Sequence, residues 1–283
     1  MSAVALGTEG LPSQAEVMAQ AGRENFPVAS LVLGPRRRHL LAIYGYARLV
    51  DDVGDEVPTH RAELLDRVEE ELDAIYDGRA PEHPVMVTLA DTIHACHLPP
   101  SPFKRLIDAN RRDQSVTRYE TFAELLDYCQ LSAAPVGELV LHVFDAATPG
   151  RIALSDRICA ALQVIEHLQD IAEDFSRGRV YLPQEDLRRF GCDEVTLTAP
   201  FASPSGRALV GFEAQRACRL LAEGAALADT LALVPRLAVA GFIAGGRTAL
   251  RELERAAQQA REPSRIRRRV WLITQLPRAA SGR

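Results

Sequence analysis

Alternating β-branched runs bounded by hairpin turns are missing from this chain of 283 residues, so nothing in it argues for a sheet. Lysine is nearly missing too: Lys104 is the only one among 33 basic residues. Such an arginine bias suits either a GC-rich coding sequence or recognition of diphosphate by guanidinium forks. Only arginines placed by a motif therefore carry weight. The five cysteines, Cys96, Cys129, Cys159, Cys192 and Cys218, are odd in number, widely spaced and form no CxxC pair. That pattern argues against a disulfide framework and for reduced thiols in a cytoplasm. His94-Ala95-Cys96-His97 lacks a second ligand pair at zinc spacing and reads as a surface helix end. No apolar run reaches the length of a membrane span. The opening residues show no basic segment followed by an apolar core, so no signal peptide is expected. A net charge of −5 gives no global electrostatic reason to bind nucleic acid.

What is present is helix. Hydrophobic residues make up 47% of the chain, enough for a substantial core. Apolar positions recur at three- and four-residue spacing over 36–52, 61–77, 84–97, 102–113, 120–145, 151–176, 205–231 and 236–260. Pro or Gly stands in each break: Pro58, Gly78 to Pro84, Pro99-Pro100, Pro149-Gly150 and the stretch from Ala199 to Ser205. The last of these reads as an inter-helix loop, because the flanking helices are too few to bury separate cores. Pro135 falls inside an apolar helical run that continues through Leu139, Val140 and Leu141, so a kinked helix is expected there.

Two of these helices contradict their own hydrophobic pattern. Leu40 to Val50 is apolar nearly all round, as in a buried helix, yet it runs into Asp51-Asp52-Val53-Gly54-Asp55-Glu56. Tyr44, Arg48, Asp51, Asp52 and Asp55 line one face. Ile158 to Phe175 repeats the device with Gln163, His167, Asp170 and Asp174 on one face and Glu166 beside them. Carboxylates at i and i+4 repel each other, and burial worsens the cost unless a cation neutralises the pair. Two solvent-exposed acidic helix ends would oppose the macrodipole. Two acidic stripes facing each other across a polar cavity fit better. Carboxylate oxygens suit Mg²⁺, which is held by a few of them together with water and phosphate oxygens.

In order and spacing these motifs resemble the squalene/phytoene synthase family over about residues 24–191. The first is Asp51-Asp52-Val53-Gly54-Asp55, led by Tyr44 and Arg48. The second is Asp170-Ile171-Ala172-Glu173-Asp174, followed by Arg177-Gly178-Arg179-Val180-Tyr181-Leu182-Pro183. Between them lie Tyr128-Cys129 and Ser132-Ala133-Ala134-Pro135-Val136-Gly137-Glu138. Glu24-Asn25-Phe26-Pro27-Val28-Ala29, the Ser-Ala-Ala-Pro-Val-Gly stretch, and Tyr181 to Leu187 look most like the hydroxysqualene synthase subgroup. One departure is Glu166, where the family often has Asn. It remains an oxygen ligand with one more negative charge.

The resemblance implies an all-α, single-domain isoprenoid-synthase-type bundle around a central cavity, spanning 1–283 with flexible ends at about 1–15 and 275–283. It implies conversion of presqualene diphosphate to hydroxysqualene, or a sibling head-to-head condensation of prenyl diphosphates. The other class weighed is a non-catalytic isoprenoid-binding module. Asp51, Asp55, Glu166, Asp170 and Asp174 are the implied Mg²⁺ ligands, with Asp52 and Tyr128 also in the catalytic set. Phe26, Tyr44, Arg48, Gln163, Arg179 and Tyr181 are the implied substrate contacts. Arg48 either meets a phosphate or orients Asp51, and Arg177 either closes over the diphosphate or is solvated. His167 either handles the water step or does not. Lys104, Arg111 and Arg112 read as surface charges. The resemblance implies no NADPH, because a separate enzyme would perform the reduction, and consistently no GxGxxG lies between a strand and a helix. Expected partners are the isoprenoid diphosphate and other squalene-pathway enzymes. The basic and apolar run Arg265 to Ile273 suits either the inner face of a membrane or a docked terminal helix.

Overall fold

The computed structural model describes residues 10–19 and 31–261. A short α1 (Gln14–Ala19) is followed by a 3-10 turn (Leu31–Arg36) and by α2 (Arg37–Asp55). Next come α3 (Arg61–Tyr76), α4 (Pro84–Cys96), α5 (Pro100–Asp113), α6 (Phe122–Ser132) and α7 (Ala134–Val143). The 28-residue α8 (Pro149–Ser176) precedes α9 (Gln184–Arg189), α10 (Pro204–Gly224) and α11 (Leu233–Gln258). Among the described residues the sole extended pairing is one parallel bridge, Arg118 to Val180. The expected all-α class is correct.

Local chemistry accounts for the helix starts. Proline occupies the first turn of α4, α5, α7, α8 and α10, where its missing N–H costs nothing. Thr121, Thr148 and Ser203 cap α6, α8 and α10 by accepting a backbone N–H three residues on. At Ala133, with φ −111° and ψ −44°, the chain breaks rather than kinks: the expected single helix over 120–145 is two, α6 and α7. Pro135 then sits in the first turn of α7, where a proline is tolerated.

Buried apolar residues from Val17 to Ala256 join one cluster. α2 contributes Ile43, Tyr46, Leu49, Val50 and Val53, all fully buried, and packs against α3, α4, α5 and α7. α8 packs along α10 and against α6, α7 and α11. α7 lies against both α2 and α8, whereas α2 and α8 share few or no close contacts. The two central acidic helices are therefore held apart by their neighbours. Asp51 and Glu166, inside these surrounded helices, are nonetheless exposed.

Candidate active site

The last two turns of α2 carry the first acidic stripe. Asp51 accepts a hydrogen bond from Asn110 Nδ2 at 3.2 Å. Burial pushes its carboxyl up to about 7, with the Asn110 bond and the Arg48 charge pulling the other way. Asn110 comes this near because residue 54 is glycine: a Cβ there would lie 2.0 Å from Asn110 Oδ1. Gln114 secures the same crossing, donating to Gly54 O at 3.1 Å and Asn110 O at 3.0 Å. One turn away, Arg48 Nη2 pairs with Asp52 at 2.5 Å and Glu56 at 3.0 Å, and Asp52 is buried.

Asp55 leads to the second stripe. Its Oδ1 lies 2.7 Å from Arg179 Nη1, an arginine whose side chain is only 15% exposed. Arg179 belongs to the strap between α8 and α9. The strap leaves α8 through Gly178, whose φ of +82° is the left-handed conformation that glycine adopts freely. Arg179 N donates back to Asp174 O at 2.9 Å, and Val180 N to Thr117 O at 2.9 Å. Arg118 Nη1 donates to Gly178 O at 2.6 Å. One strap residue thus meets the first stripe by its side chain and the second by its backbone.

Between the stripes stands a cluster of rings around one carboxylate. Asp113, at the end of α5, accepts from Tyr128 OH at 2.6 Å and from Tyr181 OH at 3.5 Å. Burial raises the Asp113 pKa and the Tyr128 bond opposes the shift. Tyr119 stacks on Tyr181 at 5.9 Å between centroids. His167 stacks on the same ring at 3.7 Å, with its Nδ1 3.7 Å from Asp174 Oδ2 and its Nε2 3.2 Å from Gln163 Nε2. Burial also drives the Tyr128 and Tyr181 hydroxyls far above their ordinary pKa, so both rings stay neutral.

Among the described residues no three His, Cys, Asp or Glu side chains converge on one ion-sized point. The two acidic stripes offer carboxylate oxygens spread over two helices, none of them buried except those of Asp52. That set fits Mg²⁺, which takes one or two protein carboxylates and fills its octahedron with water and phosphate oxygens. It does not resemble a closed cage for a structural metal.

A profile of squalene/phytoene synthases matches residues 19–272. The chain belongs to this family. Relatives include the hydroxysqualene synthase of Rhodopseudomonas palustris, 37% identical over 72% of this chain and 70% of the relative. The phytoene synthase of Mycobacterium tuberculosis is 34% identical over 71% of this chain and 66% of the relative. In structure the chain resembles squalene synthase HpnC from Alicyclobacillus acidocaldarius, with TM-score 0.77, 38% identity, and coverage of 91% of this chain and 99% of that one.

Within this squalene/phytoene synthase fold, Asp55, Arg179, Tyr181, Tyr128, His167 and Asp174 form one connected set. Tyr44 is buried on α2, Asp170 is half-buried, and Glu166 is exposed beside them on α8. Phe26 lies outside the described residues, as does Arg265 to Ile273. Arg48 forms ion pairs with Asp52 and Glu56, which i+4 and i+8 bring onto its side of the helix, and its charge also acts on Asp51. Arg177 is exposed and pairs with Glu173 at 3.1 Å, the solvated alternative. Lys104 and Arg111 pair with Asp73, Glu69 and Asp66 at the surface of α3. Arg112 instead lies over the Tyr119 ring at 5.4 Å. Asn110, Asp113 and Tyr119 escaped the sequence reading. The first two did leave a signal: they continue the apolar stripe of Phe103, Leu106 and Ile107 at helical spacing, where exposed polar residues would not fall.

Proposed function

We propose that this family member converts presqualene diphosphate to hydroxysqualene. The observation that carries the reading is the Asp55–Arg179 contact, which ties the first acidic stripe to the strap leaving the second. It puts a cationic fork and two sets of carboxylates beside three tyrosines, as ionisation of a lipid diphosphate requires. The 37% identity to the hydroxysqualene synthase of Rhodopseudomonas palustris supports this choice over the sibling reactions.

Asp51, Asp55, Asp170 and Asp174, with Glu166, would hold Mg²⁺, which when bound neutralises the departing diphosphate. Arg179 donates to the same leaving group, exchanging Asp55 for phosphate oxygen. The C–O bond breaks with its electron pair going to diphosphate, and the cyclopropylcarbinyl cation left behind rearranges. Tyr44, Tyr128 and Tyr181 offer ring faces to that cation. Neutral hydroxyls and apolar walls keep other nucleophiles out until one water adds its oxygen to the rearranged carbon and releases a proton. Arg48, held with the catalytic-set residue Asp52, and Gln163, held on His167, orient the stripes. Phe26 completes the substrate contacts from outside the described residues.

The reaction as written takes no hydride, so no NADPH enters. We place it in the cytoplasm beside other squalene-pathway enzymes, in peripheral contact with the inner face of the membrane that dissolves a C30 substrate. α11 supports this and corrects the expectation that no apolar run reaches spanning length: by length and composition it could cross a bilayer, only 28% of that window is buried, and Leu233 and Leu237 are exposed on it. Sedimentation with anionic vesicles tests it, and protein left wholly in the supernatant refutes it.

Mass analysis of products from presqualene diphosphate, with Mg²⁺ and with chelator, tests the main reading. Hydroxysqualene that forms only with Mg²⁺ is expected, and unchanged substrate overturns it. The phytoene synthase relative favours the condensation sibling, which predicts product from a prenyl diphosphate alone.

A further inference from the structure

The strap that carries Arg179 and Tyr181 ends in α9, a helix of only six residues. So short a helix does not hold its own register. Asp186 in α9 is 2% exposed, and its carboxylate meets Arg216 Nη1 on α10 at 2.5 Å. The same nitrogen donates to Glu213 Oε1 at 2.9 Å, and Glu213 is 1% exposed. Its other oxygen, Oε2, is buried too, and the Glu213 carboxyl shares a side-chain hydrogen bond with Asp186. The guanidinium is sandwiched between the rings of Phe122 and Phe212, 4.4 Å from each centroid.

Stability alone gives a poor reason for this cluster. An ion pair with a second carboxyl beside it, out of water, costs more than apolar side chains filling the same space. What an ion pair fixes, and an apolar contact does not, is direction and register. The cluster also reaches the strap from a second side. Phe122, one wall of the sandwich, donates its N–H to Glu185 Oε1 at 2.9 Å. Gln184 N and Glu185 N donate to the carbonyls of Tyr119 and Glu120 at 2.9 and 3.0 Å. Asp186 N closes a turn onto Pro183 O at 3.0 Å, two residues after Tyr181.

We propose that Arg216 is a positioning residue: by gripping Asp186 it sets the register of the strap and so the placement of Arg179 and Tyr181. This rests on the functional reading for its catalytic consequence, but its structural part can be read separately. The triple variant Arg216→Met, Asp186→Asn, Glu213→Gln keeps the shape and removes every charge, so it is the form to study if Arg216→Met alone does not fold. Hydrogen exchange of residues 177–187 should quicken in that variant, while α2 and the body of α8 keep their protection. Diphosphate release should fall on the order of 100-fold, the effect of a misplacement of about 1 Å. That loss should not multiply with the loss from Arg179→Lys, because both act through one contact. Unchanged exchange in the strap overturns the proposal, as do losses that multiply fully in the combined variant. If the wild-type protein turns over no prenyl diphosphate, the functional reading fails and the exchange measurement still decides whether Arg216 sets the strap.

Discussion

Asp113 joins two hydroxyls from elements far apart in sequence, Tyr128 on α6 and Tyr181 on the strap. Asp113→Ala leaves both buried donors without their acceptor, and an orphaned buried polar group costs about 1–3 kcal/mol. A fall of that size in the urea unfolding free energy is expected, with Tyr128→Phe costing less because Tyr181 keeps its partner. A variant as stable as wild type would show that water serves these hydroxyls equally well. The carboxylates proposed to hold Mg²⁺ should behave in the opposite way. Asp51→Asn and Asp174→Asn should leave the unfolding midpoint near wild type and lower Mg²⁺-dependent diphosphate release by roughly 10²–10³-fold, the scale for removing one group aimed at developing charge. The sequence made these aspartates conspicuous, since paired carboxylates inside an apolar helix demand a neutralising charge. Asp113 stands at a helix end, where an aspartate ordinarily meets water, so its partners became visible only with the fold.

At the level of elements, the crossing of α2 and α5 turns on Gly54. An added methyl would sit 2.0 Å from Asn110 Oδ1, and Asn110 is the side chain that holds Asp51. Gly54→Ala must push α5 away or displace Asn110, an overpacking cost of about 1–3 kcal/mol. Thermal unfolding should register it, and activity should fall with it because Asp51 loses its donor. Retained stability and activity together would mean that Asn110 rotates away freely. The helices themselves were legible: 61–77 and 84–97 fall within a residue of α3 and α4, since a stripe at helical spacing is strong over such lengths. The α6–α7 break was not legible, because apolar periodicity runs straight through Ala133 and the break there is one residue long. Neither α9 nor the strap offered a period to read. Their conformation comes from backbone bonds to residues 117–120, more than sixty positions earlier.

For the molecule as a whole, the Arg216 cluster implies a pH dependence of stability with a definite sign. Burial pushes Glu213 from 4.5 up to about 8, Arg216 pulls it back, and Asp186 adds to the rise. The unfolded chain releases this proton near 4.5, while the folded chain keeps it to about 8. Between those values the folded state binds more protons, so this group's contribution to stability declines as pH rises from about 4.5 to about 8. Below and above that window its contribution is flat. Glu213→Gln supplies a permanently uncharged side chain of the same shape and should remove the decline. Unfolding midpoints measured in urea at intervals across the window should therefore diverge, with the variant gaining on wild type toward the alkaline end. Groups common to both proteins, Asp51 among them, cancel in the difference. Parallel curves would mean that Glu213 is already ionised in the folded protein at neutral pH, with Arg216 holding its charge.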